Sequence, residues 1–349
     1  MPLQTDIFSA KLAEQYSHFD VANRLLFTGH SHQAWPDVTL DGLVESFDAA
    51  ARLVDTKWDE AFEKVGVLRT YLQRYYDDPQ GCYTHDMNTH NLLVRWISAL
   101  DLRRKPRIVT TDAEFYSLYR QLSRLSEEGV DVVFVPALPV QGFAGRVKEV
   151  LNEETSAVMI SRVYFDTGLI NTELPMVGAL CREAGVPLMI DDYHGTNVVP
   201  LSLREAGLED AYVLIGGYKY LQWGEGNCFL RYPAGCGLRP VVTGWFSAFS
   251  TLKGARSRGP TVYDDGDMLF AGATFDGVSA YRAAAVVAFF EEYGLTPKVL
   301  SKLYREQVAY AKYRFEGLGL DPDRLRLAHG RPVQEGGGFL ALRGAKAGV

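Results

Sequence analysis

The sequence predicts an α/β protein built on a mostly parallel sheet sandwiched by helices. Three observations carry this. Short apolar runs, each compatible with a buried strand, alternate with segments of helical periodicity from Arg107 to Val163. Chemistry-bearing residues cluster just past the ends of such runs, where open α/β sheets bind ligands. The chain has 349 residues, enough for one large domain and a smaller one.

The elements follow in order. Leu43, Val44, Phe47, Ala51 and Val54 recur at helical spacing, as do Trp58, Phe62, Val65, Leu68 and Leu72. Both sets read as core-facing helix stripes, the second stopped at Asp77-Asp78-Pro79. Asn88 and Thr89 are good N-caps for an apolar helix over 92–102. Strands are expected at 107–111, 130–135, 157–163, 187–190, 211–215 and 228–231. Helices are expected at 118–128, 144–151, 174–183, 281–293 and 300–318, with a further strand at 339–343. The strand–helix–strand alternation implies parallel pairing with right-handed crossovers.

Composition narrows the function. A net charge of -7 argues against a nucleic-acid partner. Hydrophobic residues make up 47% and charged residues 23%, ordinary values for a soluble globular chain, and no apolar run is long enough for a bilayer. Residues 1–8 lack the basic and apolar regions of a secretory signal, and the four cysteines form no Cys-x-x-Cys pair. A reduced, cytoplasmic setting is expected. His30-x-His32 is a possible metal pair without a third ligand close in sequence, so no metal is expected. Gly224-x-Gly226 lacks the third glycine of a dinucleotide fingerprint and precedes a strand.

The informative stretch is Met189-Ile190-Asp191-Asp192-Tyr193-His194 and its sequel, Gly216-Gly217-Tyr218-Lys219-Tyr220. A carboxylate and an amine placed past two strand ends suit pyridoxal 5'-phosphate. The amine holds the cofactor covalently, and the carboxylate keeps the pyridine nitrogen protonated so that the ring acts as an electron sink. A surface Asp and a surface Lys on two loops is the plain alternative; the glycine pair and the flanking aromatic residues weigh against it.

Asp191-x-x-His194 with Tyr218-Lys219-Tyr220-Leu221 resembles the class V aminotransferase group of fold-type I enzymes, most of all kynureninase and its relatives. Matches run in order from about Leu26 to Tyr293. The resemblance implies a large cofactor-binding domain at 41–284 and a small α+β domain formed by 1–40 and 285–349. It implies Lys219 as the Schiff-base lysine and proton-moving base. Asp191 would pair with the pyridinium nitrogen, with His194 packing on the ring or bonding Asp191, and Asp192 is left as a structural carboxylate. Cofactor contacts are further implied for Asn88 and Thr89 at a phosphate-binding helix start, Phe115 on the pyridine face, Ser117, Thr167 in the Thr167-Gly168 turn, Tyr218, Trp245 of Gly244-Trp245-Phe246, and Thr274. His30 and Ser31, in the opening loop, and Asp276 fall at substrate-facing positions.

Several positions depart from the kynureninase pattern. His30 replaces an Asn, Leu118 an Asp and Asp166 a Tyr, and Asp276-Gly277 lies where the family's ring-contacting amide is expected. In the family, the arginine that clamps the substrate carboxylate is carried by a further helix and strand toward the C-terminus; it is not assigned here, and Arg343 is a candidate by default. The resemblance implies a homodimer with shared active sites and an amino-acid substrate. It supports kynureninase-like hydrolase or lyase chemistry on a diverged substrate, with class V aminotransferase and a catalytically impaired cofactor-binding protein as alternatives. A cysteine desulfurase would need a reactive cysteine near the end of the chain, and none follows Cys236.

Overall fold

The computed structural model describes residues 6–251 and 259–345. In chain order the elements are α1 (Asp6–Glu14), α2 (Val38–Leu53), α3 (Lys57–Tyr75), β1 (Cys82–Asp86), α4 (Thr89–Ser98), β2 (Arg107–Thr111), α5 (Tyr116–Glu127), β3 (Asp131–Val135), α6 (Phe143–Val150), β4 (Thr155–Ser161), α7 (Leu174–Ala184), β5 (Leu188–Asp191), β6 (Tyr212–Gly216), β7 (Cys228–Tyr232), α8 (Val278–Glu292), α9 (Pro297–Glu316), β8 (Leu325–Leu327) and β9 (Leu342–Gly344). None of the described helices is long and apolar enough to cross a membrane.

Seven strands form one sheet in the order β1-β7-β6-β5-β4-β2-β3. All neighbours are parallel except β7, which runs antiparallel to both β1 and β6. The sheet is mostly parallel, as expected, and β7 is the exception for a simple reason. Residues 217–227 contain no helix to carry the chain back across the sheet, so β7 returns beside β6 in the opposite sense. Strand β1 escaped the sequence reading because Cys-Tyr-Thr-His-Asp offers no apolar run, although four of its five residues are buried.

Alternate residues of each strand face opposite layers. Val158, Ile160, Leu188, Ile190, Val213 and Ile215 pack with α3, α6, α7 and α8. Ala157, Met159, Met189, Tyr212 and Leu214 pack with α4 and α5 through Leu92, Trp96, Leu118 and Leu122. Both sheet faces are therefore dry, which is why these strands read as continuous apolar runs.

Helix α2 buries a different face from the one its apolar spacing predicts. In α2 the buried residues are Thr39, Gly42, Ser46 and Ala49. Val44, Phe47 and Val54, expected in the core, are exposed, and Leu43 and Ala51 are not among the buried residues. Small residues face α8 because its backbone comes close: a Cβ on Gly42 would lie 2.8 Å from the Tyr281 carbonyl oxygen. Helix α3 buries Val65, Leu68 and Leu72 as expected. The strand expected at 339–343 forms instead at Leu342–Gly344, paired with β8.

Beside the site, Asp192 is fully buried and bound by Arg162, with Nε to Oδ1 at 2.5 Å and Nη2 to Oδ2 at 2.8 Å; the Tyr76 hydroxyl donates to Oδ2 at 2.7 Å. Asp192→Asn would leave a buried guanidinium without its counter-charge, at a cost of about 3–5 kcal/mol. Urea unfolding should register that loss, while Asp77→Asn, which breaks an exposed pair with Arg204, should change little. Equal effects of the two substitutions would contradict the assignment of Asp192 as a structural anchor.

Candidate active site

The C-terminal end of β5 delivers Asp191, and the chain leaving β6 delivers Lys219. Parallel pairing in register, with Asp191 opposite Leu214, puts these two exits side by side. The glycine pair makes the room. A Cβ on Gly216 would fall 1.8 Å from Cζ of Tyr193, and one on Gly217 would meet the Asn227 carbonyl oxygen at 2.5 Å. Glycine is required at both positions by this close approach.

A cavity of about 310 Å³ opens there, the size of a small-molecule site. Asn88, Thr89, Phe115, Ser117, Asp191, His194, Tyr218 and Lys219 all line it. Helix α4 starts at its wall, and the Asn88 side chain accepts the Asn91 N–H at 2.9 Å. That cap occupies one donor of the first turn. The free donors of a helix start, with the positive end of its dipole, suit an anionic group.

Lys219 is buried. Its Nζ contacts Nε2 of His194 and lies 5.2 Å from the Tyr193 ring centre and 5.5 Å from that of Phe115. Burial lowers its pKa to about 8, against the pull of the Asp191 carboxylate. Burial also takes His194 down to about 3, helped by the charges of Lys219 and His30, so the imidazole is neutral at physiological pH. Asp191 moves the other way. Burial raises its pKa to about 6, opposed by a hydrogen bond from the Tyr193 N–H at 2.9 Å and by Lys219. No ion pair is formed by Asp191 among the described residues, whereas the buried Asp78, Asp86 and Asp192 each face an arginine. A cationic ring nitrogen is the partner that such a carboxylate lacks. The amine, the carboxylate without an ion-pair partner and the helix start thus fit pyridoxal phosphate. His194 does not bond Asp191; it faces the amine.

The remaining site candidates, Leu118 apart, do not line the cavity. His30 packs against Phe339 at 5.5 Å between ring centres, and burial, helped by the charge of Lys219, lowers its pKa. Ser31 Oγ bonds Nδ1 of His32 at 2.9 Å, and His32 stacks on Tyr218 at 4.8 Å, so the two histidines of the pair diverge. Thr167 is buried and accepts the Leu169 N–H at 3.3 Å. Trp245 is 45% exposed and stacks on Phe246. Thr274 is exposed, as is Asp276, which accepts the Val278 N–H at the start of α8. Asp166 is exposed, Leu118 is buried against the cavity, and Arg343 is exposed on β9. The sequence reading gave no role to Tyr193, Glu114, Glu225 or Cys228. Tyr193 could have been found from its place inside Asp191-x-x-His194 and from the glycine that clears space for its ring.

No protein-family model matches the chain. An uncharacterized aminotransferase of Bacillus subtilis, YcbU, is 22% identical over 245 residues, covering 69% of this chain and 62% of the relative. Cysteine desulfurase IscS of Rickettsia bellii is 27% identical over 159 residues, 45% of this chain and 38% of the relative. A kynureninase of Pseudomonas fluorescens is 31% identical over 101 residues, 28% of this chain and 24% of that protein. The matches thus span less than two thirds of each relative. Among solved structures, the cystine C–S lyase C-DES, with glycine linked to its pyridoxal-phosphate cofactor, superposes with a TM-score of 0.76 at 18% identity, covering 92% of this chain and 83% of the other. Cysteine desulfurase from Thermococcus onnurineus superposes at 0.75 with 15% identity, covering 96% and 82%. The fold is that of pyridoxal-phosphate enzymes, and the relatives are of the class V aminotransferase and cysteine desulfurase type. The kynureninase branch is matched by a short segment only.

The depressed pKa of Lys219 is directly measurable. Labelling of the cofactor-free protein with trinitrobenzenesulfonate, read at Lys219 by peptide mass spectrometry, should reach half its maximal rate near pH 8. A midpoint near that of an ordinary lysine, about 10.4, would refute the buried environment described here.

Proposed function

We propose that the protein binds pyridoxal 5'-phosphate through Lys219 and acts on an amino-acid substrate in the cytoplasm, by kynureninase-like hydrolase or lyase chemistry on a substrate other than kynurenine. The observation that carries this is the meeting of Lys219, Asp191 and the start of α4 on one cavity. The cofactor, when bound, supplies the electron sink for carbanion chemistry. Lys219 takes and returns the substrate α-proton at Nζ; a pKa near 8 leaves a useful fraction neutral at working pH. Asp191 holds the ring nitrogen in its protonated form. Asn88, Thr89 and Ser117 hold the phosphate, Phe115 covers the ring, and His194 orients the amine. His30 and Ser31 border the substrate side. The division into a cofactor-binding part at 41–284 and a smaller part from both chain ends belongs to this proposal. Class V aminotransferase is the second reading, favoured by the YcbU match, which covers more of this chain than the kynureninase match does.

The expected result is a yellow protein with the cofactor fixed on Lys219 after borohydride reduction, as located by mass spectrometry. Attachment to a different lysine, or no binding in saturating cofactor, would end the proposal. Rapid release of fluorescent anthranilate from kynurenine would restore kynureninase itself. Transfer of an amino group from donor amino acids to a keto acid would favour the aminotransferase reading.

We propose a homodimer in which Trp245, Thr274 and Asp276 reach the partner's site. All three lie away from the cavity of their own chain, and Trp245 joins exposed Phe249 beside the Phe62, Phe246 and Phe275 cluster. The exposed Val44 and Phe47 of α2 provide further apolar surface for that contact. Sedimentation should give twice the chain mass, and Phe47→Glu with Trp245→Ala should yield monomer that binds cofactor weakly. A wild-type monomer with full cofactor affinity would rule the dimer out.

A further inference from the structure

Glu114 sits in the turn between β2 and α5, fully out of reach of solvent but for 4% of its surface. Its carboxylate accepts the Thr111 hydroxyl at 2.6 Å, the Ser161 N–H at 3.1 Å and the Ser161 hydroxyl at 2.6 Å. Thr111 ends β2 and Ser161 ends β4. Ser161 is in turn the register partner of Asp191. A single residue therefore separates this carboxylate from the one that faces the cavity. Asp78, Asp86 and Asp192 have guanidinium partners; Glu114, like Asp191, forms no ion pair among the described residues.

Three neutral donors hold such a group in place and support its anion without cancelling its charge. We infer that Glu114 is a positioning residue for the site: through Ser161 it is coupled to Asp191, and its charge, present above neutrality, strengthens the hold of Asp191 on a cationic ring nitrogen. Two carboxylates in a poorly solvated site repel each other, and each strengthens the hold of the other on a positive group. Burial raises the pKa of Glu114 to about 7, with Asp191 acting in the same direction against the hydrogen bonds from Ser161 and Thr111. The charge thus switches on as the pH rises through neutrality. The other titratable groups around the pair are Tyr164, which feels Glu114, Asp192, which is locked to Arg162, and Lys219 across the cavity.

The coupling of the two carboxyls belongs to the chain alone, while its effect on a ring nitrogen rests on the proposed cofactor. The test separates them. In cofactor-free protein labelled with 13C at glutamate side-chain carboxyls, the Glu114 signal, assigned by Glu114→Gln, should titrate near 7. Asp191→Asn, which removes a carboxylate already ionised at that pH, should lower the midpoint by roughly one pH unit, a tenfold loss of proton affinity. With 15N-labelled pyridoxal phosphate bound, the ring nitrogen should lose its proton at lower pH in Glu114→Gln than in the wild type. Asp191→Ser, which also removes the charge, should lower the Glu114 midpoint likewise, and it decides the matter if Asp191→Asn fails to fold. A Glu114 midpoint unmoved in a folded variant would overturn the inference and leave Glu114 a structural cap. Failure of wild-type protein to bind cofactor would instead overturn the proposed function, with the glutamate titration still deciding this one.

Discussion

The site depends on the parallel pairing of β5 with β6. That pairing places two strand exits next to each other at one end of the sheet, and the two exits carry a carboxylate and an amine. Hydrogen-bonded register fixes their relation more firmly than loop contacts could, because a slip by one residue would turn Asp191 into the opposite layer. The dry layers on both faces of the sheet give the register its strength. Gly216 completes the arrangement by leaving space for Tyr193, whose ring then walls in Lys219.

The electrostatics follow from the same geometry. Carboxylates that support the framework are each matched with an arginine, as Arg162 and Asp192 illustrate. Asp191 at the cavity and Glu114 behind Ser161 are not. Asp191 and Glu114 are held by neutral donors and backbone N–H groups, and burial raises both. Lys219 and His194 are lowered for the same reason. The fold keeps a set of half-satisfied charges at one place and neutralises the rest elsewhere, an economy common to ligand sites and uncommon in plain structural cores. That no arginine pairs with Asp191 among the described residues is thus as informative as the presence of Lys219.

The surface of α2 shows how a helix can mislead. Its apolar residues have the right period for a core stripe, but the stripe that packs is made of Thr39, Gly42, Ser46 and Ala49. Close approach to α8 selects small side chains, so the larger ones are turned outward. Periodicity specifies that a helix has two faces; it does not say which one meets the neighbour.

Much was determined by the sequence alone. The buried strands β2 and β4 to β7 were legible because a strand covered on both sides must be largely apolar, and the pair Asp191 and Lys219 was legible because each stands at or just past the end of such a strand. Asn88 as a helix cap followed from local hydrogen-bonding chemistry. Tertiary structure decided what no local pattern encodes. Strand β1 is buried by its neighbours and not by its composition. β7 runs antiparallel because the connection before it lacks a helix. Trp245, Thr274 and Asp276 stand apart from the cavity of their own chain. Glu114 becomes a neighbour of Asp191 only when β4 lies between β2 and β5. Long-range proximity of this kind arises from strand order, and strand order is set by packing across the whole sheet, so residues distant in the chain acquire their chemistry only after folding.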